Sequence, residues 1–223
     1  MKVPTSGTSV FSPVLQSPQS AGTVRTVGFP ADLVIGNIRS GSGHYFQDRL
    51  RGFPSSGTTQ NTLSVQSQST AAEASAYPYF YDVWNTTAKD GDLAFMTNGV
   101  GWTFGRAPGF FDEVCYTGTG GTNLQTHNLG VTPELLIIRS RSQSGTYGGY
   151  WLVLSASGSN YRSLFLNTTD GNQGNFAISS ISTATTINID YIASNILSVN
   201  TSAATYVAYL FATVAGVSKV GSY

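Results

Sequence analysis

The sequence GFPADLVI at residues 28–35 returns about a hundred residues later as GVTPELLI at residues 130–137. Asp32 aligns with Glu134, and an arginine follows each of them at the same distance. A second match joins VGWTF at 100–104 to VAYLF at 207–211, and its offset is five residues longer. The repeat therefore predicts two copies of one structural module, with a short loop insertion in the second copy.

Within both copies, short runs of β-branched and aromatic residues alternate with turn signals such as Asn-Gly, Asp-Gly and a glycine cluster at 118–121. Such runs are typical of antiparallel strands joined by tight turns. Helical periodicity is nearly absent, and one helical turn at 69–74 is predicted, with a Ser/Thr loop as the alternative. Strands are predicted at 33–38, 93–96, 100–104, 110–116, 134–139, 151–154, 164–166, 176–178, 187–192, 196–199 and 206–211.

We therefore expect an all-β protein with two tandem antiparallel β-sandwich modules of jelly-roll type. The first module is expected at 23–108 and the second at 109–216. Residues 1–22, rich in Ser and Pro, are expected to form an extended N-terminal docking arm. Because Gly109 and Tyr116 align with Gly216 and Tyr223, residues 217–223 are expected to form a C-terminal strand that pairs with a neighbouring subunit.

Composition excludes several classes of protein. The 223 residues carry 11 Lys plus Arg and 11 Asp plus Glu, so only 10% are charged and the net charge is zero. Nucleic-acid binding through a basic surface is therefore not expected. The chain also lacks an apolar run of about 18 residues, so membrane insertion is not expected. The single cysteine, Cys115, cannot form an internal disulfide, which suits cytosolic synthesis.

Few residues could carry chemistry. His44 and His127 lie in different modules, and Cys115 has no base beside it in the sequence, which favours a buried apolar thiol. Asp112 and Glu113 are adjacent on a predicted strand and would face opposite ways. Two aspartates at 90 and 92 are too few for calcium, which takes about six to eight oxygen ligands. We therefore predict no catalytic residues, no metal and no cofactor, and we expect a protein that is not an enzyme.

Two groups of residues are candidates for binding. Tyr77, Tyr79, Tyr81 and Trp84 form the richest aromatic cluster and could stack on a sugar, with packing in a core or interface as the alternative. Arg49 and Arg51 flank Leu50 and are predicted to face a neighbouring subunit. Val217, Val220 and Tyr223 are predicted interface residues of the C-terminal strand.

Charge placement adds one local prediction. Asp32 and Arg39 bracket the first repeated strand, and Glu134 and Arg141 bracket its counterpart. Opposite charges at fixed places suggest that they tether the loop ends, while solvated charges are the alternative, since exposed ion pairs contribute under about 1 kcal/mol.

Several of these stretches resemble a module found in tandem in bacteriophage virion proteins, particularly large tail-fibre-like polypeptides of marine and cyanobacterial phages. The resemblance is patchy but covers both modules. It lies in residues 28–40, STAAE at 69–73, RAPGFFD through CYTGTG at 106–120, HNLG with PEL at 127–135, and 206–223. The family, as far as the resemblance goes, has no established chemistry.

The resemblance implies a structural protein on the exterior of a virion, in a tail fibre or spike. Its expected partners are other virion proteins, bound through residues 1–22, and further copies of itself in a homo-oligomer, with a trimer favoured. A host surface glycan is a further candidate partner. The alternatives are a capsid decoration or head-fibre protein, a lectin-like adhesin and, less favoured, a polysaccharide depolymerase, which would need two carboxylates across a groove.

Overall fold

The computed structural model describes residues 2–16, 23–38, 44–52, 62–76, 80–82, 92–95, 99–145, 148–195 and 199–221. The chain divides into two compact units. The first comprises Ser6–Gln68 and Glu73–Arg106. The second comprises Ala107–Tyr223 together with two short earlier segments, Met1–Thr5 and Ser69–Ala72.

The first unit contains two antiparallel sheets. One is six-stranded with the order β1-β9-β3-β4-β5-β6, and the other has the order β2-β8-β7. The strands are β1 (Phe11–Gln16), β2 (Thr23–Thr26), β3 (Leu33–Ile38), β4 (His44–Asp48), β5 (Thr62–Gln66), β6 (Ala74–Ala76), β7 (Phe80–Asp82), β8 (Asp92–Phe95) and β9 (Gly99–Phe104).

The second unit also has a six-stranded sheet, with the order β10-β17-β12-β13-β14-β15, and a small β11-β16 sheet. Its elements are β10 (Phe111–Thr117), β11 (Leu124–Thr126), β12 (Leu135–Ser140), β13 (Trp151–Ser157), β14 (Asn160–Phe165), β15 (Gly174–Ala177), α1 (Ile178–Ile181), β16 (Thr186–Asn188), α2 (Ile189–Asn195) and β17 (Thr205–Phe211).

The two six-stranded sheets share one topology. In each, the first strand pairs with the last, the last pairs with the next long strand, and the rest follow as a meander. Both first strands begin after the same turn, in which Val10 N–H donates to Gly7 C=O at 3.2 Å and Phe110 N–H donates to Ala107 C=O at 3.1 Å. The all-β prediction and the repeat thus correspond to antiparallel sheets of matching order. The jelly-roll arrangement is not confirmed.

The extended arm predicted for residues 1–22 is not confirmed either. Residues 11–16 form β1, which pairs along its whole length with β9, from Phe11 opposite Phe104 to Gln16 opposite Gly99. Backbone pairing and the burial of Val14 hold this strand in the sheet. The repeated structure of the first unit therefore begins near Gly7.

The core of the second unit lies between its large sheet and the segments that cross it. Leu136 and Ile138 on β12 point to one side, where they pack with Ile187, Ile189 and Ile192. The predicted strand at 187–192 is wrong beyond residue 188, because α2 begins at Ile189. Ile189 and Ile192 are both fully buried and lie three residues apart, which places them on one helical face.

Two predicted turns have different outcomes. Residues 69–73 are a loop and not a helical turn, and Ala71 N–H donates to the Ser69 hydroxyl at 3.0 Å. The Asp-Gly turn near residue 170 joins β14 and β15 as a hairpin, with Ser163 opposite Gly174. In the described residues, neither α1 nor α2 is long enough to cross a membrane.

Candidate functional site

The acidic residue that precedes the repeated strand has the same task in both units. The Asp32 carboxylate accepts a hydrogen bond from Arg106 N–H at 2.6 Å. The Glu134 carboxylate accepts one from the Thr213 hydroxyl, also at 2.6 Å. Arg106 and Thr213 are equivalent residues that leave the last strand of each large sheet. The two acidic side chains therefore hold the chain where it leaves the last strand of each sheet. Arg39, the predicted partner of Asp32, lies outside the described residues.

Arg51, predicted to face a neighbouring subunit, makes its described contacts inside its own unit. Its side chain is buried and lies between two carboxylates. Arg51 Nε donates to Asp48, Nη1 donates to Glu73 at 2.8 Å, and Nη2 donates to Phe46 C=O at 2.9 Å. A guanidinium with this many partners inside its own unit is a structural group that closes the turn after β4.

Arg49 is also bound within the first unit. Its Nε lies 3.3 Å from the Asp32 carboxylate, and its Nη2 donates to Ala31 C=O. About a third of its side chain stays exposed. This ion pair holds the turn against the start of β3, and the subunit contact of Arg49 stays a prediction.

In the second unit, Asn200 organises the glycine-rich loop at 118–123. Its side-chain oxygen accepts from Thr119 N–H at 2.9 Å and from the Asn123 amide at 2.7 Å. Its own amide donates to Gly121 C=O at 2.7 Å. The backbone at Gly118 approaches residue 201 so closely that an added Cβ would lie 2.2 Å from the Thr201 carbonyl oxygen. This loop is fixed by its own contacts.

Beside this loop lies a polar cleft of about 420 Å³, lined by Gly120, Gly121, Thr122, Asp190, Ala193 and Asn200. The hydrogen-bonding atoms of Asn200 are used in the loop, and Asp190 is the one carboxylate of the lining. In the described parts of the chain, no group of three or more His, Cys, Asp or Glu side chains could hold a metal ion. The cleft offers hydrogen bonds but no pair of carboxylates for acid–base chemistry.

A larger, mostly apolar groove of about 610 Å³ lies at the other end of the second unit. Residues 3–5 line it together with Pro108, Gly109, residues 129–131 and residues 213–215. It lies where the turn at 107–111 approaches the turn at 214–218, and a Cβ on Gly109 would lie 3.2 Å from Val214. The two turns match, because each closes with a bridge, Ala107 to Phe111 and Val214 to Ser218.

Arg139 is a second buried guanidinium. Nη1 donates to Gly148 C=O at 2.9 Å, and Nη2 donates to Ala71 C=O. Its guanidinium carbon lies 5.8 Å from the centre of the Trp151 ring, which adds a cation–π contact. Burial lowers the pKa of Arg139 to about 10. Arg139 thus holds residues 69–72 to the large sheet of the second unit through a backbone carbonyl.

His127 and Cys115 lie apart from any constellation of reactive groups described here. His127 is buried, and its Nδ1 accepts from Leu129 N–H at 3.2 Å. Burial lowers the pKa of His127, while the carbonyls of Thr183 and Thr186 and the Asp112 carboxylate act in the opposite direction. Asp112 accepts from Asn128 N–H at 2.6 Å. Cys115 is a partly buried thiol on β10 and is not in a disulfide.

The structure describes one of the four residues of the predicted aromatic cluster. Tyr77, Tyr79 and Trp84 lie outside the described residues, and Tyr81 is placed on β7 by its backbone.

Of the predicted C-terminal strand, Tyr223 lies outside the described residues. Val217 lies in the turn at 214–218, where its N–H donates to Val214 C=O at 2.9 Å, and Val220 N–H donates to the Thr213 hydroxyl at 3.0 Å. The pairing of residues 217–223 with a neighbour stays a prediction.

Sequence reasoning missed Asn200, Arg139 and Trp102 as residues of interest. The available signals are the Asn-Thr-Ser triplet that Asn200 begins and the position of Arg139 as a charge inside an apolar run. Trp102 lies two residues before Phe104 on a strand, a pattern that favours core packing, yet it is 42% exposed on β9.

Together, the sheets and the bound charges define an all-β protein of repeated antiparallel modules. The chain belongs to the family described as "Domain of unknown function (DUF7483)", whose model matches residues 106–223, just over half of the chain. None of the curated proteins and none of the solved structures matches it.

Proposed function

We propose that this protein is a non-enzymatic structural protein of a bacteriophage virion, exposed on the particle exterior as part of a tail fibre or spike. We also propose that its two modules are sandwich-like and follow one another in tandem. The observation that carries it is the repeated module itself, with its matching sheet order and its matching entry turns. Tandem modules in which each unit repeats its neighbour are typical of extended assemblies.

The use of the charged groups supports a structural role. Asp32, Asp48, Glu73 and Glu134 each bind a group of their own unit. Carboxylates bound to backbone N–H groups, hydroxyls or guanidinium groups stabilise the fold and are poorly placed to exchange protons with a substrate.

The turns that open each module support a tandem arrangement. The turn at 107–111 follows the last strand of the first large sheet, and the turn at 214–218 follows the last strand of the second. Gly109 and Gly216 take the same left-handed conformation, with φ of 76° and 74°. The turn at 107–111 leads from the last strand of the first large sheet to β10, the first strand of the second.

Labelling of intact particles tests the proposal. An antibody against this chain, visualised with gold in the electron microscope, should decorate the outside of purified phage particles at the tail. Label on the head would support the related alternative of a capsid decoration or head-fibre protein. Absence of the chain from purified particles by mass spectrometry would contradict the proposal.

The partners belong to the same proposal. Other virion proteins, additional copies of this chain in a trimer and a host surface glycan are the candidates. Since residues 11–16 pair with β9, we assign the proposed N-terminal docking to the residues before Gly7. Deleting residues 1–5 should then reduce incorporation into particles, and normal incorporation of that variant would argue against N-terminal docking.

A further inference from the structure

The polar cleft beside the glycine-rich loop at 118–123 has the size of a small-molecule site. Its volume of about 420 Å³ lies within the range of such sites, about 300–1,000 Å³. The loop supplies one part of its lining and α2 supplies another. These segments belong to the same compact unit, so the cleft can be considered within that unit alone.

The loop side of the cleft is held in shape by hydrogen bonds within the unit. The Asn200 side chain accepts from Thr119 N–H at 2.9 Å and donates to Gly121 C=O at 2.7 Å. The Asn200 carbonyl accepts from Gly120 N–H at 2.8 Å. A wall that is already ordered loses little conformational entropy when a ligand binds. The loop can therefore take a ligand without rearranging.

One position in the loop borders open space. A Cβ added to Gly121 would meet no atom within 4 Å, whereas a Cβ added to Gly118 would lie 2.2 Å from the Thr201 carbonyl oxygen. Gly121 and its neighbour Thr122 are both exposed and both line the cleft. The loop is thus packed at its start and open to a ligand at residues 121 and 122.

The helix α2 divides its residues between the core and the cleft. Ile189 and Ile192 are completely buried in the core. Asp190 and Ala193 line the cleft and are likewise three residues apart, a spacing that places them on one face of the helix. Packing of the isoleucines therefore determines the direction in which the Asp190 carboxylate is presented.

The charge of the cleft restricts the class of ligand. Among its described lining residues, Asp190 is the one charged side chain. Phosphates, uronic acids and other anions would be repelled by that carboxylate. No group of three metal-ligating side chains exists in the described parts of the chain, which disfavours a metal ion.

The hydrogen-bonding groups of the lining match hydroxyl groups. A carboxylate offers about four acceptor positions, so Asp190 can accept from a ligand in addition to partners of its own. The exposed Thr122 hydroxyl can both donate and accept. A sugar hydroxyl also does both and can therefore bond to either residue. An ammonium group only donates, so it would leave the hydroxyl proton of Thr122 without an acceptor.

We propose that this cleft binds a neutral sugar unit, with the Asp190 carboxylate accepting from its hydroxyl groups and Thr122 bonding to a further hydroxyl. The site deepens the contact with a host surface glycan proposed above, and its biological role rests on that function. The described lining has one charged anchor and no aromatic ring, so a single sugar unit should bind with a Kd of about 1 mM or weaker. Several linked copies of such a site would attach far more firmly than one.

Titration of the isotopically labelled full chain, followed by nuclear magnetic resonance, tests the proposal. The probes are the methyl α-glycosides of glucose, galactose and mannose, added to about 50 mM. At least one should shift the backbone amide signals of Gly120, Gly121 and Thr122 until they saturate. The uronic acid counterpart of the sugar that binds should bind at least about 10-fold more weakly, because its carboxylate meets Asp190.

A substitution of the carboxylate identifies the main anchor. Asp190→Asn keeps the shape of the side chain and removes the charged acceptor, so it should weaken binding by about 10-fold or more. Asp170→Asn is the matched control, because Asp170 is exposed in the turn between β14 and β15 and should not affect binding. Thr122→Val, which removes only a hydroxyl, replaces Asp190→Asn if the amide spectrum shows that the latter is misfolded, and should weaken binding several-fold.

A substitution of the loop glycine tests the location of the site by steric hindrance. Gly121→Leu should abolish binding, because the new side chain would extend into the space that borders the cleft. Gly171→Leu is the matched control, since a Cβ at either glycine would meet nothing within 4 Å. The control should bind the sugar like the wild type.

Three outcomes would overturn the inference: none of the three glycosides shifts these amide signals, choline as an ammonium probe binds more tightly than any of them, or the Asp190 and Gly121 variants bind like their controls. Absence of the chain from virions would reject the proposed function and leave a measured sugar site intact. A cleft that binds no sugar would reject this inference and leave the virion location standing.

Discussion

Two buried arginines show how single residues hold the modules. Arg51 is neutralised by Asp48 and Glu73, whereas Arg139 has two backbone carbonyls and the Trp151 ring. A buried cation without a carboxylate is more costly, which agrees with the lowered pKa of Arg139. Both side chains link segments that are distant in sequence, and each one depends on all of its acceptors.

Replacing Arg51 with Met should strongly destabilise the first unit. The variant leaves two buried carboxylates without their cation, and breaking a buried pair in this way costs about 3–5 kcal/mol. The urea midpoint for unfolding of the first unit should fall accordingly. Lys219→Met changes the charge equally at an exposed site and should leave the midpoint nearly unchanged; equal effects of the two variants would refute the structural role of Arg51.

Gly118→Ala should destabilise the second unit. The new Cβ would collide with the Thr201 carbonyl, and crowding of this kind costs about 1–3 kcal/mol. Gly121→Ala in the same loop is the matched control, because a Cβ there meets nothing within 4 Å. Thermal unfolding of both variants checks the difference, and a Gly118→Ala protein as stable as the control would show that the loop can shift.

Stability should fall as the pH is lowered through the range in which an ordinary histidine takes up a proton. Burial lowers the pKa of folded His127, so the unfolded chain binds that proton first, and the contribution of His127 is complete only above about pH 6.5. The urea midpoint should therefore decrease between about pH 7.5 and 5.5. His127→Asn, which can still accept from Leu129 N–H, should flatten this dependence, and an unchanged slope would contradict the assignment.

At the residue scale, the sequence could predict positions better than partners. Asp32 and Glu134 recur at the same place in the two modules, and in the structure both hold the chain near the start of the repeated strand. Their described partners are Arg106, Arg49 and Thr213. Arg49 and Arg51 looked like surface charges because nothing in the local sequence shows that Glu73 and Asp32 return to meet them. Such partners are set by sheet register, which depends on pairing across long stretches of chain.

At the scale of elements, β1 was missed for a physical reason. Its sequence FSPVLQ contains Pro13, which lacks the N–H needed inside a sheet. β1 has only one neighbour, β9, so it is an edge strand, where a proline is tolerated. The next two strands in the sheet order, β9 and β3, were predicted within one residue.

Truncation separates β1 from the residues before it. A chain lacking residues 1–5 should retain the first sheet, since Ser6 onward belongs to that unit. A chain lacking residues 1–16 loses Val14 from the core and leaves the edge of β9 unpaired, so it should aggregate or unfold. Size-exclusion chromatography and circular dichroism check both, and a monomeric, folded 17–223 chain would show that β1 is dispensable.

For the whole molecule, the repeat was the most informative signal. It predicted two modules, and the two sheets share one strand order that no single run of residues could reveal. The compact units divide after Arg106, and the repeat predicts a boundary after residue 108. The sequence could not show that short segments cross that boundary, because small polar loops such as STAA carry no pattern that names their destination.

The bond from Arg139 to Ala71 also determines how the protein can be dissected. A fragment cut at residue 106 contains every residue matched by the family model but omits 69–72, so its buried guanidinium keeps only the Gly148 carbonyl as an acceptor. The residues matched by the family and the residues of the second compact unit therefore differ, because that unit also takes residues 69–72 and residues 1–5 from far upstream.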